Sequence, residues 1–373
     1  MQGEVIAAAF LSGSCCWFSS ERKRCSYENE KLVCMHLVLI FTVLVVSVPG
    51  AAAEPAEDAS VVPVTHYEYP ITPDSPDWFN YTVLEKVEML RILDEILERM
   101  TDEALVTAIA EYPYLCDLHV YGCGTMEDGI SVSRHYFSAL HELLTRDNAQ
   151  EILKSYGVEA VRMFADSARE ADSNEVFVAN MLAELINTIC NDDVISIDYS
   201  FSVQLKGGVY VGSATVYTPK GTPVTCAVYS DSDSKADHLA EDTKFVNTYG
   251  VTLVTAGSCV YNCHSYAWYS RSASNPYWME NPSAYMSDGS YRRIYSGSSG
   301  QLYMGTGIQS GDIVYYGGNT HSAVVTASPS VSTAAIGNAP CISKWGSAGV
   351  FRHNLGNVPA GYTQTSLTFW RLN

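Results

Sequence analysis

From residue 81 to 100, apolar side chains return at helical spacing: Leu84, Val87, Leu90, Leu93, Ile96 and Leu97. Glu85, Lys86, Glu88, Arg91, Asp94 and Glu98 fill the remaining faces. Thr101, followed by Asp102 and Glu103, has the chemistry of a helix start, and that second helix reaches Glu111 before Tyr112-Pro113-Tyr114. Similar patterns over residues 133–144, 147–155, 158–170 and 174–190 extend the run. Residues 81–192 thus predict an all-α domain of about six helices with short connections.

Beyond residue 192 the period changes from helical to two. Residues 195–203, 208–211, 214–217 and 224–229 alternate, with a turn at 218–223. An acidic stretch, residues 231–242, reads as a short helix or loop, and residues 251–256 read as a further strand. Residues 193–256 are therefore expected as a β-rich middle segment.

The front of the chain carries an address. Residues 1–53 form a leader, in which an apolar run at 37–48 is followed by Pro49-Gly50-Ala51-Ala52-Ala53; residues 35–53 match a secretory signal peptide. Its 12 apolar positions fall short of the ~20 that a membrane span needs. Residues 1–34 are either an extended n-region or untranslated upstream sequence with Met35 as the true start, and the second is the expectation. Residues 54–80, rich in Pro, Asp and Ser, read as a linker. A secreted or cell-surface protein is the expectation.

Composition fits that address. The chain has 373 residues, of which 47% are hydrophobic and 17% charged, so a packed core is expected. The net charge of -19 disfavours nucleic acid and anionic membranes and leaves a weak attraction to amine-bearing partners. Seven of the 11 cysteines lie beyond the leader, and an odd number in a secreted chain leaves at least one free thiol. Cys116 and Cys123 invite a small disulfide loop or a pair of buried thiols. Cys116-x-x-His119-x-x-x-Cys123 has half the ligand spacing of a zinc site, but no second half follows.

Two segments carry candidate chemistry. Tyr261-Asn262-Cys263-His264-Ser265-Tyr266 opens a short helix with a cysteine in its first turn. A helix tip lowers a thiol pKa and supplies N–H donors for an oxyanion. Gly311-Asp312-Ile313-Val314-Tyr315-Tyr316, then Gly317-Gly318-Asn319-Thr320 and His321-Ser322-Ala323-Val324-Val325, predict a β-hairpin that presents an imidazole at the start of its second strand. Cys263 is the candidate nucleophile and His321 its base. Tyr261 and Asn262 are candidate oxyanion or substrate contacts, Asn262 doubling as a turn residue. His264 reads as structural, and His353 as a cleft or surface-strand residue.

That order, a cysteine opening a helix, then a Gly-Asp-hydrophobic strand, then a strand opening on histidine, resembles the papain-like cell-wall amidases and peptidases of the NlpC and CHAP type. The resemblance covers about the last third of the chain, from Ala256 to Asn373. It implies an α+β fold over residues 257–373, with the cysteine helix packed on an antiparallel sheet that carries the histidine. It implies a Cys–His acyl-enzyme mechanism on amides, peptidoglycan peptides first among them, with no metal or organic cofactor. Asn262-Cys263-His264 replaces the family's usual Asp-Cys-Ser or Gln-Cys-Thr. The family orients its histidine from the next strand, which here is Cys341-Ile342-Ser343-Lys344-Trp345-Gly346; no carboxylate or Asn stands there. Ser343 is the expected third member, with Asn338 or a backbone carbonyl as alternatives. Asp312 is expected to shape the turn. The rival expectation is a secreted binding or adhesion protein on the same scaffold with a silent thiol.

Overall fold

The computed structural model describes residues 62–121, 125–168, 174–191, 207–328 and 334–373. They belong to one compact unit, Val61–Asn373. The expected signal peptide, the strand at 195–203 and Cys123 lie outside the described residues. Among the described residues, no helix is long and apolar enough to cross a membrane.

The fold is mixed α+β. Helices precede an antiparallel sheet, as the change of period at residue 192 predicts. The pattern expected as one helix over 81–100 divides into Val83–Met89 and Asp94–Leu97. Thr82 and Glu85 form a reciprocal capping box at the first start. The break lets Leu90 and Ile92 both bury, and the freed Ile92 N–H donates to Ser138 Oγ at 3.0 Å. Thr101 caps the helix Asp102–Ala110 through the Ala104 N–H, as its side chain predicts. Helices Met126–Ser133, Ser138–Thr145, Val158–Ser167 and Asn174–Cys190 follow.

Residues 62–80 do not hang free as the linker expectation has them. Val64 pairs with Met100, Tyr69 and Ile71 are buried, and the buried Trp78 donates from Nε1 to the Thr248 carbonyl at 2.7 Å.

Strands β1 (Gly208–Tyr217) and β2 (Pro223–Asp231) form a separate antiparallel ribbon with a bulge between Tyr210 and Gly212. The acidic stretch after them becomes a full helix, Lys235–Tyr249, with a Ser234–Asp237 capping box and Gly250 in the left-handed conformation at its end. Strand β3 (Thr252–Thr255) then enters the main sheet. With β4 (Tyr291–Gly297), β5 (Ile313–Tyr316), β6 (His321–Val325), β7 (Pro340–Lys344), β8 (Val350–Asn354) and β9 (Leu367–Leu372), it gives the order β3-β8-β7-β6-β5-β9-β4. Every neighbouring pair is antiparallel.

Alternation along β5 and β6 sorts the two faces of that sheet. Val314, Tyr316, Ala323 and Val325 join the large core shared with the helices. Ile313 and Val324 face a smaller core built from Trp268, Met279, Tyr285 and the β1–β2 ribbon. Helical segment and sheet therefore share one hydrophobic interior. Asp312, just before β5, is buried and accepts from Arg371 Nε and Nη2 at 2.7 Å each and from the Gln309 N–H at 2.8 Å, so it ties β9 to the β5 turn.

Candidate functional site

Cys263 and His264 form an α-helical turn that runs into a π-helical turn, Ser265–Tyr269. Asn262 sets the entry. Its Oδ1 accepts from the Ser265 N–H at 3.0 Å and the Met279 N–H at 3.2 Å, and its Nδ2 donates to the Met279 carbonyl at 2.9 Å. Its Oδ1 and one Nδ2 hydrogen are spent on holding the turn, and Asn262 also borders the cleft beside Cys263.

The hairpin forms as expected. β5 and β6 pair with Tyr316 opposite His321. The turn between them uses Gly318 and Asn319 at positive φ (69° and 63°). This brings Cys263 to the open end of β6, where its sulfur lies beside the backbone N–H of Ser322, one residue past the histidine.

A chain of hydrogen bonds fixes the imidazole. His353 Nδ1 donates to the Asn354 carbonyl at 2.8 Å, so its Nε2 accepts the Ser343 hydroxyl proton at 2.7 Å. Ser343 Oγ in turn accepts from His321 Nε2 at 3.0 Å and from Trp345 Nε1 at 3.1 Å. The network assigns His321 as the Nε2–H tautomer, with its lone pair on Nδ1. That Nδ1 is buried and has no hydrogen-bond partner. The ring is clamped by Tyr362, stacked at 4.0 Å between centroids with an interplanar angle of 6°, and by the edge of Tyr316 at 5.1 Å.

Cys263 opens onto a cleft of about 270 Å³ lined by Val120, Tyr121, Val132, Trp278, Glu280 and Tyr362. The helical segment supplies one wall of this cleft and the sheet the other. His264 also borders it, but its ring is fully engaged: Nε2 donates to the Asn319 carbonyl at 3.2 Å and Nδ1 accepts from Ser322 Oγ at 2.8 Å. Trp268 Nε1 completes that hydroxyl at 2.9 Å. His264 is structural, as its sequence position suggests.

Electrostatics reverse one expectation. The helix tip was expected to favour thiolate, yet burial pushes the Cys263 thiol up to about 12, against the pull of the Ser322 and His264 N–H groups. The helical stretch is too short to build much dipole, and Cys263 is only 6% exposed. Burial, with His353 and His264 nearby, holds the His321 imidazole well below its usual range. The resting pair is a neutral thiol and a neutral imidazole.

Tyr261 does not reach the cleft. It packs with Tyr266 and Val350, under the Lys344 ammonium, which lies 5.1 Å from its ring centre. Lys344 itself points away from the histidine and donates to the carbonyls of Ser258 (2.9 Å), Gly346 (2.6 Å) and Ala348. Asn338 sits in a short 3-10 turn ahead of β7, and the position beside the imidazole is filled by Ser343. Sequence reasoning left His353 open between the cleft and a surface strand, and missed the clamp Tyr362 and the relay residue Trp345. The alternation of Val350-Phe351-Arg352-His353 is the signal that places His353 inward, while nothing local marks Tyr362. Among the described cysteines, Cys116, Cys226, Cys259, Cys263 and Cys341 are buried thiols outside any disulfide.

No protein-family model, no curated protein and no solved structure matches this chain.

Proposed function

We propose that the chain is a cysteine-dependent amide hydrolase, a papain-like peptidase or amidase that acts outside the cell on peptide substrates, with cell-wall peptides the first choice. One observation carries the reading: a base-ready imidazole nitrogen, His321 Nδ1, is buried without a partner on the strand whose next N–H meets the Cys263 sulfur.

In this reading a substrate carbonyl enters the cleft over Cys263. His321 Nδ1 takes the thiol proton as the sulfur attacks, and the Ser343–His353 relay holds the resulting imidazolium in place. Ser343 is a positioning residue. Backbone N–H groups at the start of the cysteine turn receive the oxyanion. The imidazolium then protonates the leaving amine, and water assisted by the same nitrogen releases the acid. No metal or organic cofactor takes part in these steps. The Glu280 carboxylate at the cleft favours substrates that carry an ammonium group.

The neutral resting pair favours a second reading, a secreted binding protein on the same scaffold whose thiol is silent. Incubating the chain and its Cys263→Ala variant with purified peptidoglycan, then identifying released fragments by mass spectrometry, separates the two. The hydrolase reading expects new amine and carboxyl ends from the wild type alone. Equal release, or none from either across a panel of cell walls and peptides, favours the binding protein.

A further inference from the structure

A second constellation of reactive side chains lies outside the cleft. β2 ends on Asp231, Asp233 follows in the next turn, the helix Lys235–Tyr249 carries His238 and Glu241 nearly one turn apart, and Cys259 sits in the loop after β3. One ligand atom from each of Asp231, Asp233, His238 and Cys259 lies within 4.8 Å of the others. His238 Nε2 is 3.0 Å from both oxygens of Asp231, and Cys259 Sγ is 3.7 Å from Asp233 Oδ2. His238 and Cys259 are buried at 3% and 0% exposure.

Asp233, His238 and Cys259 border a narrow, partly open gap, and His119 and Glu241 border it as well. Four buried atoms on residues that border it have no hydrogen-bond partner: His238 Nδ1, which lies on the Gly257 side of its ring, His119 Nδ1 and both carboxylate oxygens of Glu241. The nearest approach among them is His119 Nδ1 to Glu241 Oε1, at 3.5 Å. A bridging water is the usual remedy for such groups, but this space is too small to hold one. It is also too small for a substrate, which sets this Cys/His/Asp group apart from the one in the cleft. A metal ion needs less room, because its ligands close to ~2.0–2.3 Å around it.

We propose that Asp231, Asp233, His238 and Cys259 bind one divalent transition-metal ion of the zinc class, with the His119–Glu241 pair packed against it. Thiolate, imidazole and carboxylate together are a donor set that suits zinc and its neighbours and suits magnesium or calcium poorly. Binding forms a metal–sulfur bond as the Cys259 S–H bond breaks, and the proton leaves to solvent. The ion would join β2, the Lys235–Tyr249 helix and the loop that leads, four residues later, to Cys263. Its role is structural, and it stands whether or not Cys263 is a nucleophile.

The test uses the full chain purified without chelator. Elemental analysis should find one zinc-class ion per chain. Exchange with Co²⁺ should give a thiolate-to-cobalt charge-transfer band in the near ultraviolet. Cys259→Ser should abolish that band and weaken binding at least about tenfold, whereas Cys263→Ser should keep it. Chelation should lower the melting temperature, and added Zn²⁺ should restore it. A folded wild-type chain with neither metal nor cobalt band overturns the proposal, and leaves His238 and His119 as imidazolium partners of the surrounding carboxylates. A band that survives Cys259→Ser but is lost in Cys263→Ser overturns it equally.

Discussion

His321 Nε2 lies 3.0 Å from Ser343 Oγ, and that contact leaves Nδ1 as the ring nitrogen with the unused lone pair. The same hydroxyl serves His353 and Trp345, so one oxygen holds three rings. Replacing it strands buried donors at no gain in space.

Ser343→Ala should therefore cost about 1–3 kcal/mol of stability and, on the hydrolase reading, lower kcat far more than it raises KM. Ser343→Thr should recover most of kcat, since it keeps the hydroxyl. Urea unfolding and steady-state kinetics on the same preparations check both halves. A Ser343→Ala variant with unchanged kcat removes the hydroxyl from the mechanism.

The relay also predicts a pH dependence. Burial holds His353 down from 6.5 to about 4, with the Asn354 carbonyl pulling weakly the other way. A base depressed in the fold binds its proton in the unfolded chain first. Stability is then complete above the unfolded value of 6.5 and falls as pH drops toward 4. The shift corresponds to roughly 3 kcal/mol. His353→Gln should remove this dependence, so the stability difference between wild type and variant should shift against the wild type between pH 6.5 and 4. Urea midpoints at pH 7, 5.5 and 4.5 measure it. A difference that stays constant with pH shows that His353 titrates normally.

Gly346, after β7, has φ of +49°, and a Cβ there would lie 1.8 Å from the Val120 carbonyl oxygen. Val120 belongs to the helical segment and both residues line the cleft. Gly346→Ala should force the two walls apart and cost more than about 3 kcal/mol, combining left-handed strain with a backbone clash. Thermal unfolding checks this: a loss under about 1 kcal/mol would mean that the walls yield freely.

Arg371 holds the buried Asp312 carboxylate with two hydrogen bonds of 2.7 Å, and its own side chain is 25% exposed. Arg371→Ala leaves a buried charge without its partner, and about 3 kcal/mol of stability should go with it. Asp312→Asn/Arg371→Ala should recover part of that loss. Chemical unfolding of both variants decides: equal stability of the two means the carboxylate is solvated after Arg371 is removed.

What the sequence made legible follows from the range of the interactions involved. The β5–β6 hairpin, the Thr101 cap and the cysteine turn are local, and their signals lie within a few residues. The helix Lys235–Tyr249 was harder to read because it buries polar side chains, His238, Glu241 and Asp242, where an apolar stripe is expected. Its Ser234–Asp237 box and Gly250 are the start and stop marks that could have found it. Residues 62–80 look like a linker because Trp78 and Tyr69 are spaced without period, yet they dock onto distant partners such as Thr248 and Ala108. Tyr362 against His321, and Cys259 against Asp231, are meetings across the fold that no local pattern records. Ser343 was placed by the strand order alone, and its contact with His321 is where that reasoning reached furthest.

The central claim is that the imidazole of His321 serves the sulfur of Cys263. The most direct measurement is the iodoacetamide alkylation rate of Cys263 across pH, mapped by peptide mass spectrometry in the wild type and in His321→Ala. Cys226, Cys259 and Cys341, all buried, serve as internal controls. The account predicts that Cys263 reacts well ahead of the controls in the wild type and at least about tenfold more slowly in the variant. Equal rates in both proteins, at every pH, would contradict it.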